Sequence, residues 1–241
     1  MREMPFLEHL VELRSVITAS VVLFLGLAIG YWCFTGPILE WIVKAAPVEH
    51  LVFNAPAEAF MVRNKLSLIL GGLTAFPYIV YRVWRFVMPG LFRRERRKVM
   101  PIAVWSMFLF YAGVIFCYFV MIPGVVRFLI GYGTAHVQPL ITVGAYFDTV
   151  SQLCLVMGLV FQLPIVMFLL SAAGLVPASL FMRQWRFAIV IIFIVSAIAT
   201  PPDVLSQALM AIPLCILYIG SALTALIVSR RREKKNAMEA T

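Results

Sequence analysis

The chain alternates long apolar runs with short polar or basic interruptions. A helix needs about 20 apolar residues to cross a hydrocarbon layer about 30 Å thick. Three stretches reach that length: Ser15 to Phe34, Met100 to about Ile122, and Phe147 to Ala173. A fourth, roughly Phe60 to Phe86, begins with Arg63, Asn64 and Lys65, and the long basic side chains there are able to snorkel to the interface. A fifth lies between Arg186 and Pro201-Pro202 and holds only Phe187 to Ala199, about 20 Å of helix at about 1.5 Å per residue. So short a span thins the bilayer or is shielded by neighbouring helices, and either outcome leaves a groove. A sixth, from about Ser206 to Val228, is interrupted by Pro213. The pattern predicts an all-α integral membrane protein of six transmembrane helices, the fifth and sixth short, with residues 1–241 forming a single polytopic membrane domain.

Composition supports that class. The 241 residues are 63% hydrophobic and 13% charged, which a water-soluble domain of this length could not keep in solution. The net charge of +9 is confined to short segments between apolar runs, so it speaks for membrane orientation and against a nucleic-acid partner. Arg2, Arg14, the cluster from Arg82 to Lys98, Arg183, Arg186 and the run Arg230 to Lys235 fall on one side of a six-span arrangement. Only Lys44, Arg63, Lys65 and Arg127 fall on the other. The positive-inside rule then puts both termini in the cytoplasm, with residues 1–14 an amphipathic cytoplasmic segment and 229–241 a basic cytoplasmic tail. The first apolar run is too long for a signal-peptide core, so we expect the chain to stay in the membrane where it inserts.

The connections expected outside are the longer ones. Thr35 to Ala59 carries Pro37, Pro47 and Pro56 around an amphipathic piece, Ile38 to Val43, which reads as a short helix at the outer interface. Cys33, Cys117, Cys154 and Cys215 and His9, His50 and His136 have no ligand spacing, and we expect no metal and no cofactor.

The acidic residues change the picture. Glu8 and Glu12 stand one helical turn apart just before the first apolar run, where lysine or arginine is the usual choice, and so mark a place that expects a cation. Four motifs then occur in order: Glu8-His9-Leu10-Val11-Glu12-Leu13-Arg14; Phe53-Asn54-Ala55-Pro56-Ala57-Glu58-Ala59-Phe60; Trp84 to Leu91 with Pro89 inside it, followed by Glu95-Arg96-Arg97; and Thr200-Pro201-Pro202-Asp203-Val204-Leu205-Ser206-Gln207. Together they resemble the TatC family, the receptor and core subunits of the Sec-independent twin-arginine protein translocase, from residue 4 to about residue 228.

The resemblance implies a non-enzymatic function. In such a family, signal peptides of folded cargo present two adjacent arginines to acidic residues on the cytoplasmic face of the inner membrane. The matching positions are Glu12 and Glu95, with Glu8 and Arg14 beside them. A carboxylate and a guanidinium form paired, charge-assisted hydrogen bonds, which favours arginine over lysine by geometry. The resemblance also implies TatA- and TatB-type single-span partners in an oligomeric complex, contact with membrane lipid, and export driven by the proton-motive force. From the residues alone, Glu12 reads equally as a solvated face residue, and Glu95 as a partner of Lys98 among basic neighbours.

Other polar positions have two readings each. Asp148, Gln152 and Gln162 lie on one stripe of the fourth long run, where Pro164 removes the helix bond to the carbonyl of Val160. Gln162 is expected to face the groove beside the short helices or to tie helices together. It stands where the family often has glutamate, and Ile219 replaces another, which weakens the case for a titrating carboxylate at mid-membrane. Asp203 suits an N-cap of the last helix or a contact with cargo or partner. Glu58, after Pro56, suits a cap or a constraint on the outer loop. A small-solute secondary transporter is the rival from another class, but the chain lacks matched interrupted helices in its two halves and its acids lie at the rim.

Overall fold

A computed structural model describes residues 6–47, 51–91, 99–131, 140–200 and 203–239, with the backbone alone described for 6–9, 88–91, 99 and 228–239. Glu95 and Pro202 therefore lie outside the described residues, as do the side chains of Glu8 and Pro89.

Every regular element among the described residues is helical. In chain order these are α1 (Phe6–Trp32), α2 (Thr35–Ala45), α3 (Pro56–Leu91), α4 (Val99–Phe116), a π-helical turn (Cys117–Met121), α5 (Ile122–Ile130), α6 (Val143–Val160), α7 (Leu163–Ala172), α8 (Ala178–Arg183), α9 (Trp185–Ala199) and α10 (Val204–Glu239). Among the described residues, five helical stretches are long and apolar enough to cross a membrane: Leu10–Trp32, Pro56–Val87, Met100–Ile130, Val143–Ala172 and Val204–Ile227. Trp185–Ala199 is apolar but shorter.

The chain packs as two compact units. The first comprises Met1–Met107 and Tyr132–Ser151, the second Phe108–Gly131 and Gln152–Thr241.

In the first unit, α1 lies along α3. Ser15 meets Arg82 at one end of the pair, and Trp32 meets Phe60 edge-on at 5.5 Å near the other, so the two helices run antiparallel. Between these ends Tyr31 and Thr74 share a 2.9 Å hydrogen bond. A Cβ added to Gly71 would come within 2.8 Å of the Ala28 backbone nitrogen, so only glycine permits this approach. At 36 residues, α3 is about 54 Å long and outreaches the hydrocarbon layer at its ends. Its charges obey that limit: Glu58, Arg63 and Lys65 stand at one end, Arg82 and Arg85 at the other, and Leu66 to Tyr81 carries none. The short helix expected in the connection after α1 is present as α2.

In the second unit, proline sets the irregularities. Pro123 has no N–H to close the preceding turn, and the chain widens into the π turn before continuing as α5. Pro164 separates α6 from α7 at Phe161 and Gln162, as its missing donor predicts. The short apolar helix expected between Arg186 and Pro201 is also found: α9 has 15 residues, about 22 Å.

The last helix corrects the reading. The sixth apolar helix is not short: α10 has 36 residues and an apolar stretch of 24. Pro213 lies inside it and deprives only the carbonyl of Leu209 of its partner. Apolar residues on both sides let the helix continue, as membrane helices often do past a proline. The basic segment after Ser229 extends the same helix to Glu239.

Candidate functional site

The end of the α1–α3 pair that carries Ser15 and Arg82 forms a cleft of about 130 Å³ lined by Glu12, Ser15, Val16, Arg82 and Arg85. Helical register builds it. Glu12, Ser15 and Val16 follow one another at spacings of three and four on one side of α1, and Arg82 and Arg85 are three apart on α3. Val16 is buried against the helix pair, Glu12 and Arg82 are half-buried, and Ser15 and Arg85 are exposed.

The charges in this cleft are incompletely matched. Arg82 donates to Ser15 Oγ over a long 3.3 Å and lies 5.8 Å from the centre of the Tyr78 ring. Its Nε is buried and has no hydrogen-bond partner. No nitrogen of Arg82 or Arg85 comes within 4.0 Å of the Glu12 carboxylate, since Lys65–Asp148 is the one ion pair among the described residues. Glu12 therefore presents an uncommitted carboxylate beside two guanidiniums. Arg14, also on α1, is exposed.

Glu58 occupies the other end of the first unit. It is the third residue of α3, whose first is Pro56, and its Oε2 accepts the N–H of Asn54 at 2.7 Å. Its Oε1 accepts the N–H of Gly144 at 2.7 Å, across 86 residues of chain. A Cβ on residue 144 would lie 2.5 Å from that oxygen and would push the Glu58 carboxylate out of its present position. Beside it, Val52 N–H donates to the Ile141 carbonyl at 3.2 Å and Val143 N–H to the Val52 carbonyl at 3.0 Å, a parallel bridge between the two connections. Lys65 and Asp148 close the arrangement with a 2.5 Å ion pair. Glu58 lies two turns before the uncharged run of α3, at the end of a helix about 54 Å long that outreaches a hydrocarbon layer of about 30 Å. The Asn54 N–H, ahead of the Thr142 and Gly144 donors, holds its carboxyl below the usual glutamate value of 4.5 against a smaller opposing effect of burial.

The remaining positions are dispersed. Asp148 is exposed and engaged with Lys65, while Gln152 Nε2 donates to the carbonyl of Ile198 near the end of α9 at 3.0 Å. Gln162 is half-buried and sits beyond the break in α6, so the helical register linking it to Asp148 and Gln152 is interrupted. Gln207 Nε2 donates to the Phe193 carbonyl of α9 at 3.0 Å, and Asp203 Oδ1 accepts the Ser206 N–H at 2.6 Å, capping α10. Sequence reasoning missed Ser15, Arg82 and Arg85 as neighbours of Glu12. The i, i+3 spacing of the two arginines is the available signal, and in sequence it reads equally as orientation charge. It also missed Gly144 and the Lys65–Asp148 pair, which no local spacing reveals.

The two connections joined through Glu58 yield a prediction. Glu58→Ala and Gly144→Ala should each lower thermal stability in detergent, and together should cost less than the sum of the two, because they break one contact. Glu58 binds its proton less readily folded than unfolded, so its contribution is intact above the ordinary glutamate range and disappears as pH falls through the lowered value. Additive losses, or a Glu58→Ala difference that persists unchanged at the acid end, would contradict the clamp.

Comparison with known proteins gives the family. The family model described as Sec-independent protein translocase protein (TatC) matches residues 8–213. The chain is 36% identical to the protein of that name from Koribacter versatilis, over 100% of this chain and 92% of the relative. It is 35% identical to that from Aquifex aeolicus, over 96% and 98%. A crystal structure described as the twin-arginine translocase receptor TatC superposes with a TM-score of 0.82 at 34% identity, covering 91% of this chain and 98% of the other. The chain belongs to the TatC family, and is a multi-pass membrane core subunit of the Sec-independent, twin-arginine translocase rather than an enzyme.

Proposed function

We propose that the protein binds the two arginines of signal peptides borne by folded cargo, with Glu12 as one acceptor and Glu95, aided by Glu8, as the other. The observation that carries this reading is the uncommitted Glu12 carboxylate in an open cleft at the end of α1. A guanidinium entering it would form charge-assisted hydrogen bonds worth about 1.5–3 kcal/mol each. Arg82 and Arg85 in the same cleft repel a lone cation, which makes bidentate geometry at Glu12 more valuable than charge alone. TatA- and TatB-type subunits assemble with it in an oligomeric complex, and the proton-motive force drives transport.

The reading includes a topology. Residues 1–241 form one polytopic domain of the inner membrane, with α9 as the fifth of six crossings and both termini cytoplasmic. Shielding of α9 by other helices offsets its shortfall in length, and Gln152 and Gln207 serve its carbonyls. Single cysteines at residues 48 and 238 of a cysteine-free variant test this with a membrane-impermeant thiol reagent on intact cells. Labelling at 48 and protection at 238 are expected, and the reverse would overturn the orientation.

Recognition is tested with the purified protein in nanodiscs. Glu12→Ala should weaken binding of an Arg-Arg signal peptide by about 1.5–3 kcal/mol, and a Lys-Lys peptide should bind the parent worse than Arg-Arg. Equal affinity of Glu12→Ala and parent for the Arg-Arg peptide would sink the proposal.

A further inference from the structure

Among the described residues, the cleft at Glu12 holds two guanidiniums and one carboxylate that make few contacts with their surroundings. Arg82 has one long hydrogen bond, to Ser15, among the five donors of its guanidinium, and its buried Nε has none. Arg82 and Arg85 both stay more than 4.0 Å from the carboxylate. Positive and negative groups thus face one space of about 130 Å³ without neutralising each other by contact.

The position of the cleft narrows its occupant. Its residues fall within about two turns of one end of each of two apolar stretches long enough to cross a membrane, Leu10–Trp32 and Pro56–Val87. Exposed apolar side chains flank it: Val11 at 68% and Ile17 at 54% on α1, and Val83 at 39% on α3. A wholly anionic ligand would satisfy the arginines but face Glu12, and a cation would satisfy Glu12 but leave both guanidiniums unmatched. A ligand with a phosphate and an ammonium joined by a short link meets both demands.

We propose that this cleft is a headgroup site for a phospholipid bearing a primary ammonium, with its phosphate on Arg82 and Arg85 and its ammonium donating to Glu12. Planar guanidiniums suit phosphate oxygens, and the ammonium N–H groups supply hydrogen bonds that a trimethylated nitrogen lacks. The acyl chains run along the exposed faces of α1 and α3. Peptide recognition by the same carboxylate is not required for this inference.

Short-chain lipids added to the detergent-purified protein, followed by native mass spectrometry, test it. Phosphatidylethanolamine should bind the parent about tenfold more tightly than phosphatidylcholine, and more tightly than phosphatidylglycerol. Glu12→Gln should abolish the ethanolamine-over-choline preference, and Arg82→Gln with Arg85→Gln should weaken all three lipids. Equal binding of ethanolamine and choline lipids to the parent overturns the proposal without recourse to any variant. So does a preference for phosphatidylglycerol, which would assign the site to phosphate alone. Lipid selectivity in a protein that ignores Arg-Arg peptides would leave this inference standing and remove the functional reading above.

Discussion

Charge is costly in hydrocarbon, and the first unit is organised by that cost. Along α3 the ionisable side chains of the described residues are driven to two ends, separated by the uncharged run Leu66 to Tyr81. Once there, each set meets a different chemistry. At one end Lys65 finds Asp148 and Glu58 finds backbone N–H groups, so the charges are consumed in holding two connections together. At the other end Arg82 and Arg85 meet Glu12 across a space and remain unspent. The contrast separates a structural end from a receptive one. Close packing of α1 on α3 at Gly71 and Ala28 keeps both ends in register.

The second unit depends on backbone polarity more than on charge. The last carbonyls of α9 have no partner within the helix, and a side-chain amide answers one of them: Gln152 reaches Ile198 in the final turn, while Gln207 adds a bond to Phe193 further inside the helix. Polar residues at these positions need not mark a transport pathway, since satisfying backbone groups is reason enough for them. The same reasoning explains Asp203, whose carboxylate serves the first turn of α10.

Hydropathy made the helical class and the location of the apolar runs legible, and the missing donor of Pro164 gave the break between α6 and α7. The shortness of α9 was equally plain from the distance between Arg186 and Pro201. Pro213 misled the reading of the last helix, because one lost hydrogen bond does not stop a membrane helix whose flanks are apolar on both sides. Within the site, Glu12 was visible because an acid stood where a base was expected. Its neighbours Arg82 and Arg85 were not, because they come from a helix some 70 residues away and look locally like orientation charge. Gly144 and Asp148 were hidden for the same reason. Their meaning is a contact with α3, and contacts across such separations leave no periodicity.

The account turns on Glu12 being an acceptor held ready at the end of the α1–α3 pair. Photo-crosslinking tests this most directly, using a signal peptide with a photoreactive residue next to its arginine pair and the purified protein in nanodiscs. The account predicts adducts within residues 12–16 and 82–85, lost when both arginines become glutamine. Adducts confined to α9 and α10, or a yield at α1 indifferent to the arginines, would contradict it.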